Sequence, residues 1–178
     1  MAAPALRILA YGDSLTAGYH NDGDDFSPYA TSLAPALSAA AGAAAGSVAV
    51  DVSGASGLTA VQLVENLDTK TLYDVCDQEY SGLRYILKRN TSPQQYTAAL
   101  VQLGTNDLAD STAVGGSRTA EEILAAITSI HTLCHTHGLK TVALPIPPNK
   151  HSATKATARN GLAPYQAMRE QVNGLLQA

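Results

Sequence analysis

Four short apolar segments recur along the 178 residues, at 6–11, 47–52, 98–103 and 140–146, each flanked by Gly, Pro, Asn or Asp. Runs of that length and composition predict β-strands. Helical patterns fill the gaps. The clearest opens with the capping box Thr119-Ala120-Glu121-Glu122, carries Ile123, Ile127, Ile130 and Cys134 at helical spacing, and stops at Gly138. The alanine-rich 28–41 and the stretch 58–67, with Val61, Val64 and Leu67, predict two more helices, and another is expected around 79–90. Strands alternating with helices imply an α/β fold, with a parallel sheet between helical layers and right-handed crossovers.

Apolar residues make up 46% of the chain and charged ones 15%, a globular balance at a length that suits one core, so a single domain over 1–178 is expected. A net charge of −4, with no basic run longer than Lys88-Arg89, weighs against nucleic acid as a partner. Cys76 and Cys134 lie far apart and outside any C-x-x-C, which argues against a disulfide framework or thiolate metal site and favours a reducing, cytoplasmic location. The first strand follows Met1 too closely for a signal core, and no apolar stretch is long enough for a membrane span. The oligomeric state is not set by these features, and residues 68–97 form an insertion with no assigned role.

Open parallel sheets bind ligands at the carboxyl ends of their strands. Ser14, Gly57 and Asn106 each follow a predicted strand within a few residues, so all three are expected on one rim. A serine hydroxyl there suits nucleophilic attack, given a base for its proton and donors for the developing oxyanion. The Ser14 backbone N–H is one such donor, and Gly57, lacking a β-carbon, lets a second approach closely. The Asn106 amide supplies a third that keeps its hydrogens at every working pH.

These blocks, Gly12-Asp13-Ser14-Leu15, Ser56-Gly57-Leu58-Thr59 and Gly104-Thr105-Asn106-Asp107, resemble in order those of the SGNH, or GDSL-type, hydrolase superfamily of esterases and lipases. The resemblance extends from residue 6 to about 160. It implies a flavodoxin-like three-layer α/β/α fold and hydrolysis of a small-molecule ester without metal or organic cofactor. Ser14 would be nucleophile and oxyanion donor, with Gly57 and Asn106 completing the hole. The family's Asp-x-x-His block has no counterpart: the residues three before His20, His131, His135, His137 and His151 are Ala17, Thr128, Thr132, Cys134 and Pro148. About one βα unit is therefore expected to be missing, leaving four of the usual five strands. A truncated enzyme is the preferred explanation. An inactive acyl- or carbohydrate-binding pseudoenzyme, or a substitute base at His151 or His20, are the alternatives.

Other polar residues have local explanations. Asp13 suits the start of a helix, and Asp107 is expected to be a structural neighbour of Asn106, with Gly104 and Thr105 shaping the turn. Asn21-Asp22-Gly23-Asp24-Asp25 lacks the glutamate of a calcium loop and reads as a turn. His131 and His135 are expected at a solvated helix end that favours imidazolium, not in a metal site. No G-x-G-x-x-G or P-loop follows the first strand, which disfavours a nucleotide. If the base lies beyond these residues, His151→Ala leaves any Ser14-dependent ester hydrolysis unchanged in a chromogenic acetate assay.

Overall fold

From Ile8 to Asp13, β1 (Leu6–Asp13) is buried at every position, as an inner strand of a parallel sheet must be. The computed structural model describes residues 6–91, 95–111, 118–148 and 162–177. Parallel ladders join β1 to β4 (Val48–Ala55) on one side and to β7 (Ala98–Gln102) on the other, and β8 (Lys140–Ala143) continues the sheet in the order β4-β1-β7-β8. Two antiparallel ladders of two-residue strands sit outside it, β2 (Tyr19–His20) with β3 (Asp25–Phe26) and β5 (Leu72–Tyr73) with β6 (Glu79–Tyr80). The helices are α1 (Ser14–Ala17), α2 (Ala30–Ala40), α3 (Ala60–Glu65), α4 (Leu83–Lys88), α5 (Thr105–Ser111), α6 (Ala120–Thr136) and α7 (Leu162–Gln177). Helices flank the four-stranded parallel sheet in the expected three-layer α/β/α arrangement.

Alternation along the strands sorts the layers. Leu9 and Tyr11 of β1, with Ala99 and Val101 of β7, join the main core beneath α3, α4 and α6. Ile8 and Ala10 point the other way, toward the side on which α2 lies against β4. The stripe Ile123, Ile127, Ile130 and Cys134 is buried as its spacing predicted, and Thr119 with Glu122 forms the capping box. A second capping box, Thr59 with Gln62, starts α3 two residues later than the expected boundary.

The sheet reaches further at its rim than the apolar runs suggested, because Gly12 pairs opposite Gly54 and the ladder continues to Asp13 and Ala55. A β-carbon at Gly12 would strike Gln102 O and Thr16 Oγ1, and one at Gly54 would strike Ala17, so both glycines let α1 seat on the strand ends. β8 instead stops at Ala143 ahead of Pro145, which has no N–H to continue the ladder. The helix expected over 79–90 is shorter: Glu79–Tyr80 pairs as β6, and α4 begins only after Gly82.

α7 packs on α6 and α5, burying Tyr165 and Val172 completely. Its Asn173 grips the chain beyond β8 at both ends of one residue: Oδ1 accepts from Ile146 N–H at 2.8 Å, and Nδ2 donates to Ile146 O at 2.9 Å. Asn173→Ala removes both partners of this half-buried pair and should lower unfolding free energy by about 1–3 kcal/mol in urea titrations, with m unchanged.

Candidate active site

Strand register builds the site. Asp13 lies opposite Ala55, and Gly12 opposite Gln102, so the chain leaves β4, β1 and β7 side by side at one end of the sheet. Ser14 is the first residue of α1, Gly57 lies two residues beyond β4, and Asn106 is in the first turn of α5. The three expected positions thus converge on the carboxyl rim.

Each is held by its neighbours. The Asp13 side chain caps α1 by accepting Leu15 N–H at 3.0 Å, which fixes the turn that presents the half-buried Ser14. Gly57 is exposed at φ +76°, a left-handed conformation that side chains disfavour. Asn106 Nδ2 donates to Leu58 O at 2.8 Å, tying α5 to the glycine turn. An amide nitrogen has two hydrogens, so this bond orients the side chain and leaves one for a ligand.

Two aspartates that sequence reasoning treated as local prove to be deeply buried. Asp107 accepts Ala60 N–H at 2.8 Å, anchoring the start of α3. Burial raises its pKa above the ordinary carboxylate value. Asp13 is pushed up to about 7, chiefly by burial, with the Leu15 N–H opposing the rise and Asp107 adding to it. A third, Asp74, was missed: Oδ2 accepts Ser56 N–H at 2.7 Å, and Oδ1 accepts Cys76 and Gln78 N–H at 2.8 and 3.0 Å. The signal available for it was an aspartate just before a turn, in a position to bond backbone N–H groups two and four residues on.

None of the described histidines bonds to Ser14, Gly57 or Asn106. His20 is exposed, its Nδ1 3.1 Å from Gly18 O, and among the described residues no imidazole is hydrogen-bonded to Ser14. His151 lies outside the described residues. His131 Nδ1 and His135 Nε2 both meet Thr141 Oγ1 at 2.8 Å. Because His131 is half-buried, burial and then His135 lower its pKa, correcting the expectation of a solvated imidazolium there. Among the described residues no group of three or more His, Cys, Asp and Glu side chains is placed to hold a metal ion. None of the described helices is long and apolar enough to cross a membrane. A cavity of about 410 Å³ lies between β4 and the two short hairpins, lined by Phe26, Val52, Tyr80 and Tyr96 among others. Ser14, Gly57 and Asn106 are not in its wall.

An aspartate whose pKa rises on folding binds more protons in the native state than in the unfolded one between the two values. Stability is therefore present below the unfolded pKa and lost as pH climbs to the folded one. For Asp13 this predicts a loss on the order of a few kcal/mol between roughly pH 4 and pH 7. Asp13→Asn keeps an acceptor for Leu15 N–H and should flatten that slope in urea unfolding measured across the interval.

Known structures share this fold, three of them as follows. A lipase/acylhydrolase from Enterococcus faecalis matches at TM-score 0.56 and 18% identity, over 97% of this chain and 73% of its own. The aryl esterase of M. smegmatis matches at 0.55 and 22%, over 96% and 79%. A protein described as a putative lipolytic protein of the G-D-S-L family, from Desulfitobacterium hafniense, matches at 0.53 and 15%, over 96% and 71%. None of the curated proteins matches this chain. The family model for GDSL-like lipase/acylhydrolases matches residues 10–176, spanning all three blocks of the rim, and the chain belongs to that family.

Proposed function

We propose that the rim is the site of a serine acylhydrolase acting on small carboxylic esters. Ser14 Oγ attacks the carbonyl carbon, and the oxygen takes up negative charge facing Ser14 N–H, Gly57 N–H and the Asn106 amide. Collapse expels the alcohol and leaves an acyl-Ser14 ester, which water then cleaves. The observation that carries this reading is the juxtaposition of the three groups on adjacent strand ends, with Asn106 oriented by Leu58 O. Asp13 and Asp107 hold backbone donors and act as positioning residues rather than as the acid of a triad.

The attacking hydroxyl needs an acceptor for its proton. None of the five histidines has an aspartate three residues before it, and among the described residues no imidazole is hydrogen-bonded to Ser14. We place the Asp-x-x-His in a segment outside these 178 residues, adding the fifth strand to this single domain. The same lack of an Asp-x-x-His pair favours the second reading, a rim that binds acyl ligands without turning them over.

Free imidazole stands in for the absent side chain in the test. Release of nitrophenol from a nitrophenyl acetate should rise with imidazole beyond the solution rate in the wild-type chain, and not in Ser14→Ala. Asn106→Ala should lower the Ser14-dependent rate by about 10²–10³-fold, the cost of one oxyanion donor. Equal imidazole responses in wild type and Ser14→Ala would remove Ser14 as nucleophile. Acetate binding at the rim without any Ser14-dependent release would favour the binding reading.

A further inference from the structure

Residues 72–80, part of the insertion without an assigned role, form a hairpin clamped onto the glycine turn. Beyond the Asp74 bonds to Ser56, Cys76 and Gln78, Val75 N–H donates to Ser56 O at 3.3 Å and Asp74 N–H to Gln78 O at 3.0 Å. Asp74 is only 7% exposed, yet the residues flanking it are turned outward, Tyr73 at 64% and Val75 at 71%. Among the described residues the other exposed large apolar side chains, Val52 and Val142, lie on the two edge strands of the sheet. Both Val75 methyl carbons stand 2.7 Å from where a β-carbon on Gly57 would be, so Val75 occupies the space that a side chain on that exposed glycine would need.

A buried carboxylate thus holds a hydrogen-bonded turn whose apolar side chain faces water beside the proposed oxyanion donor. Apolar exposure gains nothing by itself, and it becomes favourable where a ligand covers it. We infer that the 72–80 hairpin is an apolar lip of the substrate site, with Val75 as a specificity-determining residue that selects esters with an extended apolar acyl chain. This rests on the reading of Ser14, Gly57 and Asn106 as the ester site. The acyl chain is the occupant because it stays bonded to the carbonyl carbon through both steps, whereas the alcohol departs after the first. Asp74 acts as a positioning residue, placing Val75 over Gly57 while it holds the glycine turn through Ser56.

The experiment titrates octanoate and acetate into the full 178-residue protein with ¹³C-labelled valine methyls and ¹⁵N-labelled amides, and into Val75→Ser and Val75→Ile. Both carboxylates are expected to shift the Gly57 amide and the Asn106 side-chain amide, and octanoate alone to shift the Val75 methyls. Val75→Ser should lower the octanoate-to-acetate affinity ratio about tenfold, the worth of roughly two buried methylenes. Val75→Ile should retain or raise it. Val75 is largely exposed, so neither substitution disturbs the core, and thermal melts check this. Octanoate that shifts Gly57 and Asn106 while leaving Val75 unmoved, or an unchanged ratio in Val75→Ser, overturns the lip and leaves the ester site standing. If neither carboxylate shifts Gly57 and Asn106, the ester site itself fails and the lip falls with it.

Discussion

Buried aspartates accepting backbone N–H groups hold the carboxyl rim together. Asp13 takes the donor of Leu15 at the start of α1, Asp107 that of Ala60 at the start of α3, and Asp74 those of Ser56, Cys76 and Gln78. Each partner offsets the other's cost. A carboxylate removed from water is expensive unless it is hydrogen-bonded, and an N–H at a tight turn or helix start has no partner within its own element. Pairing the two lets the chain reverse sharply at the strand ends, where the proposed reading has Ser14 and Gly57 offer their own N–H groups to the substrate. The arrangement places Asp13 and Asp107 close enough to repel each other, and burial with that repulsion drives Asp13 toward its protonated form near neutrality.

The sheet order decides what these turns can do. With β1 between β4 and β7, the strand carrying the serine has the glycine turn on one side and the asparagine helix on the other. Parallel pairing sends all three exits to the same end, and Gly12 and Gly54 remove the side chains that would keep α1 off them. The edge strands are managed unequally. The β5–β6 hairpin comes up against β4 through β6, whereas β8, with Val142 half exposed, pairs on one side only among the described residues.

Much of this architecture was legible because it is written in short-range patterns. The Thr119 capping box and the stripe from Ile123 to Cys134 specify α6 within its own residues, and they fold as read. Where local and distant demands meet, the reading went astray. The helix expected over 58–67 starts only after its cap Thr59, and the stretch 79–90 has helical composition although its first two residues pair with Leu72 and Tyr73. His131 sits at an ordinary helix end by sequence, and packing beside Thr141 and His135 made it half-buried and less basic.

By itself, the sequence determined the strand–helix alternation, the stripe of α6 and the three polar blocks at strand ends, because periodicity, caps and turn residues act over a few positions along the chain. Only the tertiary structure decided that Asn106 is oriented by a carbonyl 48 residues away, that Asp107 starts a helix 47 residues upstream, and that Asp74 fastens the hairpin bearing Val75 onto the glycine turn. Those bonds form between groups with no local signature of their partners. They exist because sheet register and core packing bring separate turns to one rim, where each buried polar atom must be satisfied by whatever the fold sets beside it.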